Sequence, residues 1–265
     1  MKLKAVIFDM DGTLADTEEI HRQAFNEAFA AFNIPCHWSA EEYKQLLCIS
    51  GGKERIRDYL TRHDLVALAP RDMAKLAVSI HQKKSEIYRS KLVNGHVQFR
   101  NGVLRLINEA RQRGVRLGIA TSSSRKNVDT LLRNALGEDP LTVFEAIVTC
   151  DIVEDKKPSP AVYQFALAEL GLNPDSCIAI EDTHNGNLAA LNAGIATVIS
   201  THAFTLDDDF AGAALVVDQL GEPDRPFSVL AGASNGWSYV DIDLLEHLLT
   251  AAELSWQTRQ VACAE

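Results

Sequence analysis

The chain has 265 residues, 46% of them hydrophobic and 23% charged, and carries a net charge of −10. It is long enough to bury a substantial core, and it has neither a basic tract with interleaved aromatics nor an apolar run of membrane-spanning length, so nucleic acid and membrane are excluded as main partners. The five cysteines, at 36, 48, 150, 177 and 263, are scattered without a CxxC pair and read as reduced thiols; the opening Met-Lys-Leu-Lys runs straight into a strand, and a cytoplasmic location is expected.

The first predicted element is a strand over 4–9 that runs into DMDGT (9–13). Side chains alternate along a strand, which places Asp9 and Asp11 on one side and Met10 on the other. Two like charges about 4 Å apart at an effective dielectric near 20 repel by roughly 4 kcal/mol. A cation must sit between them, or one carboxyl must hold a proton.

From 17 to 94 the pattern is helical throughout. Ile20, Ala24, Phe25, Ala28, Phe29 and Phe32 trace one apolar face, Pro35 ends that helix, and further helices are predicted over 39–47, 53–63 and 71–91. An all-helical insert after the first strand predicts a separate cap domain over 17–94. The chain leaves the core near Asp16 and returns near Gly95, so that 1–16 and 95–265 form one discontinuous core domain.

Beyond the insert, strands at 115–121, 146–150, 176–181, 195–199 and 214–217 alternate with helices at 101–113, 125–135, 160–170 and 185–193. The expected fold is α/β, a Rossmann-like parallel sheet with helices on both faces. Ser159 is expected to cap a helix whose first residue is Pro160, and Gly171 to close it. Residues 221–238 read as a loop, followed by a last amphipathic helix over 241–252.

In open α/β sheets, ligands gather at the carboxyl ends of the strands. Those ends carry Asp9 and Asp11, then Thr121, then DKKPSP (155–160), then Glu181 and Asp182. Acidic strand ends offering only oxygen suit Mg²⁺, which keeps waters and bridges to phosphate. Thr121, followed by Ser122 and Ser123, is expected at a helix N-terminus, where backbone N–H groups and the macrodipole favour an anion. A lysine before Pro158 adds a fixed positive charge. Cation, lysine and helix N-terminus together describe a phosphoryl site.

DMDGT (9–13), LGIATS (117–122), KKPSP (156–160) and IAIEDTHNG (178–186) resemble, in order, the four motifs of the haloacid dehalogenase superfamily of phosphotransferases. Asp16-Thr17-Glu18, His21, GGKERI (51–56), HQKKSEIY (81–88) and DDDFAGA (207–213) are similar to its β-phosphoglucomutase-like phosphatases of the CbbY type. The resemblance covers roughly residues 1–220. Two positions depart from the pattern: Asn101-Gly102 stands where Pro-Gly is expected, and THNGN (183–187) where Ser-x-x-Gly is expected.

The resemblance implies a Mg²⁺-dependent phosphoric monoester hydrolase that works through an aspartyl phosphate. In it Asp9 is the nucleophile and Asp11 the general acid and then base. The metal is held by Asp9, the main-chain carbonyl of Asp11, and Asp182, with Glu181 beside or behind them. Thr121, Ser122 and Lys157 hold the transferring phosphate; Lys157 rather than Lys156 follows from the Lys-Pro pattern, with the other lysine left to solvent. Lys53, assisted by Lys84, anchors a distal phosphate from the cap, and Glu18, His21 and Tyr43 contact sugar hydroxyls. His21 reads equally as a structural histidine; Lys53, Arg55, Lys83 and Lys84 read also as surface charges. His184, beside the acidic pair, is expected behind the metal ligands or facing solvent. The implied substrate is a small sugar phosphate, xylulose 1,5-bisphosphate, an inhibitor of the Calvin-cycle enzyme Rubisco, hydrolysed to xylulose 5-phosphate by a monomer. A hexose phosphate mutase of the same fold shares the four motifs and is the alternative.

Overall fold

The computed structural model of the protein describes residues 2–95 and 97–262, without the side chains of 253–262. Seven short apolar runs become strands: β1 (Ala5–Phe8), β2 (Arg116–Ala120), β3 (Ala146–Val148), β4 (Cys177–Glu181), β5 (Ala196–Ser200), β6 (Leu215–Val217) and β7 (Val229–Gly232). They form one sheet in the order β3-β2-β1-β4-β5-β6-β7. The first six pair in parallel, and β7 runs antiparallel to β6. The central β1 is fully buried, as a strand covered on both faces must be.

Period-two alternation divides the core between the faces. Val6 and Phe8 of β1 and Ile178 and Ile180 of β4 pack into one cluster with Leu106, Ile107, Leu131, Leu244 and Leu245. Those partners lie on α5 (Val103–Arg113), α6 (Arg125–Leu136) and α9 (Ile242–Ala262). Ala5, Ile7 and Ala179 face the other way, onto Val162, Tyr163 and Ala166 of α7 (Ala161–Leu170) and Ala189 and Ala190 of α8 (His184–Asn192). The small residues of that second face let α7 and α8 lie close to the sheet.

Between β1 and α5 the chain is helical: α1 (Glu18–Ala31), α2 (Ala40–Leu46), α3 (Gly52–Arg62) and α4 (Pro70–Asn94). Ser39 and Glu42 form a reciprocal capping box at α2, and Pro70 opens α4. These helices bury their own cluster, including Phe25, Phe29, Trp38, Tyr43, Ile56, Leu60 and Ile80. Ala24, Tyr88 and Leu92 pack instead into the larger cluster under the sheet, so α1 and α4 also seat the insert on the core.

The structure corrects four local expectations. Pro160 precedes the first turn of α7 and does not form its first residue; Ser159 Oγ accepts from the Ala161 N–H at 3.4 Å. Gly171 closes that helix in the left-handed conformation, as expected. The segment 221–238 is not all loop, because β7 lies within it. It pairs with β6 across a register shift at Val216/Val217. The last helix runs on to Ala262 rather than ending at 252. Thr121 does not sit at a helix N-terminus: α6 begins at Arg125, with Ser124 as its cap residue. Among the described residues no helix is long and apolar enough to cross a membrane.

Candidate active site

β1 ends at Phe8, and the Asp9 N–H continues its ladder to the Ile180 carbonyl at 2.9 Å. The chain then turns. Asp9 and Asp11, expected side by side, engage different partners. Asp9 Oδ1 accepts from Lys157 Nζ at 2.5 Å, and the same ammonium lies 2.5 Å from Glu181 Oε1. Tyr163 OH donates to Glu181 Oε1 at 2.6 Å. The positive charge demanded by the acidic strand ends therefore includes a buried lysine, placed between the ends of β1 and β4.

Asp9, Glu181 and Asp182 each offer an oxygen, and those atoms lie within 4.8 Å of one another with all three residues buried. Burial drives the Asp9 carboxyl well above its usual range, and the neighbouring carboxylates of Glu181 and Asp182 add to this. Burial raises Glu181 as well. For Lys157, burial favours the neutral amine, but Asp9 and Glu181 outweigh it and hold the ammonium charged. Thr13 Oγ1 donates to Asp182 Oδ1 at 2.8 Å. Gly12 has φ +84°, and a Cβ there would collide with Asp182 and His202; a Cβ at Gly186 would collide with Glu181. Both glycines are required where backbone passes against a carboxylate.

Asp11 has a separate set of contacts. Its Oδ1 meets His21 Nε2 at 2.9 Å, Thr17 Oγ1 at 2.7 Å and Tyr88 OH at 2.9 Å, and Ser123 Oγ donates to its other oxygen. Burial pushes this carboxyl upward, but His21 and the hydrogen bonds outweigh it, so Asp11 stays ionised below the usual carboxylate range. Two carboxylates two residues apart are thus driven in opposite directions, a divergence that marks acid–base sites. Lys84 Nζ lies 2.5 Å from His21 Nδ1, and His21 stacks on Tyr88 with ring centroids 3.9 Å apart. Burial brings the Lys84 amine down to about 7, against the pull of Asp11 and Glu18.

A cavity of about 160 Å³ opens above these groups. Asp9, Asp11, Thr121, Ser122 and Lys157 line its floor, and Glu18, His21, Tyr43, Lys53 and Lys84 its helical side, so it gathers every site residue expected from the sequence except Glu181 and Asp182, which lie buried beneath. Tyr43 OH donates to Glu18 Oε2 at 2.7 Å, and Arg55 Nη1 donates to Tyr43 OH at 3.1 Å. Arg55 and Lys84 are buried, Lys53 is exposed but lines the cavity, and Lys83 points outward to Glu86. Lys156 is not simply solvated: its Nζ reaches Glu54 Oε2 of α3 at 2.5 Å, tying insert to core. His184 faces Asp209, whose carbonyl lies 2.6 Å from its Nδ1, away from the cavity.

Several contributors were not foreseen. Arg100, where the chain returns from the insert, donates to the carbonyls of Gly12, Ser200, Thr201 and Asp218 and so pins the turn after β1. Tyr163, Tyr88, Thr17, Ser123 and His202 each bond a site carboxylate, and Asn185 Nδ2 donates to the Cys48 carbonyl and Ser50 of the insert. Thr17, Tyr88 and Asn185 lie within the segments Asp16-Thr17-Glu18, HQKKSEIY (81–88) and IAIEDTHNG (178–186), and Ser123 within the run TSSS (121–124), but those segments assign them no contact. Arg100, Tyr163 and His202 lie outside every such segment.

Carboxylates at the strand ends of a doubly wound sheet, countered by a buried lysine and faced by cations from a helical insert, define an α/β enzyme of phosphoryl chemistry. The family model for haloacid dehalogenase-like hydrolases matches residues 6–200, and the chain belongs to that family. Within it the chain is a phosphoric monoester hydrolase of the CbbY type. Protein CbbY of Cereibacter sphaeroides is 42% identical over 220 residues, covering 83% of this chain and 94% of its own. That of Rhodobacter capsulatus is 44% identical over 213 residues, covering 80% and 92%. Among solved structures, CbbY from Rhodobacter sphaeroides in complex with phosphate matches with a TM-score of 0.74 at 41% identity, over 82% of this chain and 94% of that one. An Asp-to-Asn mutant of the same protein, in complex with xylulose-(1,5)bisphosphate, matches with a TM-score of 0.75 at 40% identity and the same coverage. A β-phosphoglucomutase from Clostridium difficile, 24% identical with a TM-score of 0.66 over 82% of this chain and 91% of its own, shares the fold.

Proposed function

We propose that the protein is a Mg²⁺-dependent sugar bisphosphate phosphatase that hydrolyses xylulose 1,5-bisphosphate to xylulose 5-phosphate, removing an inhibitor of Rubisco. The observation that carries this reading is one cavity lined both by the strand-end groups and by cations of the insert. Asp9, Asp11 and Lys157 line its core side, and Lys53, Arg55 and Lys84 the side formed by the insert. A substrate with a second phosphate would find cationic side chains on the insert as well as on the core. The CbbY relative whose structure holds xylulose-(1,5)bisphosphate supports the choice of sugar. In this reading 1–16 and 95–265 are the core domain and 17–94 a cap that closes over the substrate.

The donor set fits a hard divalent cation: three buried carboxylates offer only oxygen, and the single ammonium of Lys157 does not balance them. Asp9, Asp182 and the main-chain carbonyl of Asp11 would hold Mg²⁺, with Glu181 beside them. Bound there, the ion supplies positive charge to the oxygens of the transferring phosphoryl group.

The chain's own groups do the rest. With substrate and cation in place, the reaction needs Asp11 protonated and Asp9 ionised, the reverse of the states favoured in the substrate-free geometry, so Asp11 takes up a proton as substrate binds. An Asp9 carboxylate oxygen then attacks phosphorus, the bond from phosphorus to the sugar oxygen breaks, and that oxygen takes the proton from Asp11. Asp11, now a carboxylate, takes a proton from water as the water oxygen attacks the aspartyl phosphate; the Asp9–phosphorus bond breaks and phosphate leaves. The donors gathered on Asp11 set how tightly it holds that proton. Thr121, Ser122 and Lys157 hold the phosphate oxygens during both steps. Glu18, Tyr43 and His21 orient the sugar, with Glu18 and Tyr43 already bonded to each other.

The test is phosphate release with Mg²⁺ from xylulose 1,5-bisphosphate, ribulose 1,5-bisphosphate, fructose 1,6-bisphosphate and β-glucose 1-phosphate, with Asp9→Asn as blank. Strong preference for the xylulose compound, abolished in Asp9→Asn, supports the reading. Conversion of β-glucose 1-phosphate to glucose 6-phosphate with little free phosphate would replace it with the mutase.

A further inference from the structure

His202 lies just past the end of β5, outside all four sequence motifs, yet it is buried against a carboxylate of the acidic cluster. Its Nε2 is 2.9 Å from Asp182 Oδ2. Its Nδ1 accepts the Phe204 N–H at 3.3 Å. A ring nitrogen that accepts carries no proton, so the proton resides on Nε2 and is donated to Asp182. The other Asp182 oxygen is held by Thr13 Oγ1. Each oxygen of Asp182 therefore has one protein donor, and each retains a lone pair for a further partner.

The histidine is itself held in place. His202 N–H donates to Thr205 Oγ1 at 3.2 Å, and Thr205 N–H returns to the His202 carbonyl at 2.9 Å, closing a tight turn. Arg100 grips the preceding carbonyl, that of Thr201, at 2.5 Å. A Cβ at position 12 would collide with both Asp182 and His202, so only the glycine backbone fits against the pair. Phe204 meets Tyr43 of α2 edge-on, with centroids 5.7 Å apart, so the turn also touches the insert.

We propose that His202 is a positioning residue for the divalent cation: it fixes the Asp182 carboxylate so that its free lone pairs converge with those of Asp9 and Glu181, and it thereby sets cation affinity without touching substrate. This rests on the reading that the Asp9–Glu181–Asp182 cluster holds a divalent cation. Partners of this kind, bonded behind a ligand, govern metal affinity by orienting it.

The experiment is direct titration of the substrate-free protein with Mn²⁺, a spectroscopic stand-in for Mg²⁺, following free Mn²⁺ by electron paramagnetic resonance. His202→Phe keeps the ring but removes the donor, and it is expected to weaken Mn²⁺ binding about 10–100-fold. His202→Gln, whose amide N–H falls near the position of Nε2, is expected to recover most of that loss. With the cation saturating, KM for the sugar phosphate stays at the parent value. Should His202→Phe fail to fold, His202→Asn, too short to reach Asp182, takes its place with the same expectation. Parent-like Mn²⁺ affinity in His202→Phe or His202→Asn, even with a lowered melting temperature, would overturn the proposal and leave the metal reading intact. Equal loss in His202→Gln would overturn it also, since the donated hydrogen bond would not be the cause. Absence of Mn²⁺ binding by the parent would remove the metal reading itself, and the role of His202 with it.

Discussion

Lys157 and Asp9 form a buried ion pair, Nζ to Oδ1 at 2.5 Å, at the end of the central strand. The pair joins two segments 148 residues apart and also leans on Glu181. Removing the lysine leaves two buried carboxylates without their counter-charge, which for a buried pair costs about 3–5 kcal/mol. Lys157→Met is therefore expected to lower the urea midpoint at pH 7 by a corresponding amount and to abolish phosphate release. Mg²⁺ is expected to restore part of the stability by binding the same carboxylates. An unchanged midpoint in metal-free buffer would contradict the electrostatic role given to Lys157.

Asp9→Asn behaves oppositely toward stability. The Asp9 carboxyl is raised above its unfolded value, chiefly by burial, so its contribution to stability is lost as pH rises from the ordinary carboxylate range through the raised value. At pH 7 without metal, Asp9→Asn is expected to be at least as stable as the parent, with the difference narrowing toward pH 4. Its phosphatase activity is expected to be absent. Urea melts at the two pH values check the first statement; a variant clearly less stable at pH 7 than at pH 4, relative to parent, would refute it.

Lys84 gives a pH signature of the other sign. Burial lowers its folded pKa from the ordinary lysine value to about 7. Below 7 both folded and unfolded chains hold the proton, and the folded state bears the desolvation penalty in full. Between 7 and the ordinary value the unfolded chain keeps the proton and the folded one releases it, so the parent gains stability with pH at no more than roughly 1.4 kcal/mol per unit. Lys84→Met is expected to compare most favourably with the parent near pH 6 and to lose that advantage by pH 9. A difference independent of pH across this range would show that Lys84 stays charged in the fold.

Arg100 tests the scaffold behind the site. Its guanidinium satisfies four carbonyls, from the turn after β1, the end of β5 and the segment after β6. Arg100→Ala is expected to destabilise by about 2–4 kcal/mol, because the carbonyls lose charge-assisted partners. Loosening of Gly12 against Asp182 is expected to raise the Mg²⁺ concentration needed for half-maximal rate. Guanidinium melts and Mg²⁺ titration of the rate measure the two effects separately.

The parallel sheet was legible because β1, β2, β4 and β5 are short buried runs bounded by turn residues, and buried parallel strands need little more. The acidic strand ends and the lysine before Pro158 were legible because motif chemistry is local. β7 was not: Val229 and Leu230 are 41% and 47% exposed, so the strand exists through pairing to β6 and lacks a buried, alternating pattern. The separate partners of Asp9 and Asp11 were not legible because the strand stops at Phe8, and alternation no longer governs beyond it. Arg100, Tyr163 and His202 act across long sequence separations, where spacing carries no information. Lys157 is the buried partner of the carboxylates, but Lys156 bonds the insert through Glu54 rather than facing water alone.

The most direct measurement is ³¹P nuclear magnetic resonance of xylulose 1,5-bisphosphate incubated with the protein and Mg²⁺. The account predicts loss of the C1 phosphate signal alone, with inorganic phosphate and xylulose 5-phosphate appearing in equal amounts, and no change with Asp9→Asn. Persistence of both substrate signals under conditions where the protein turns over another phosphate ester, or loss of the C5 signal first, would contradict it.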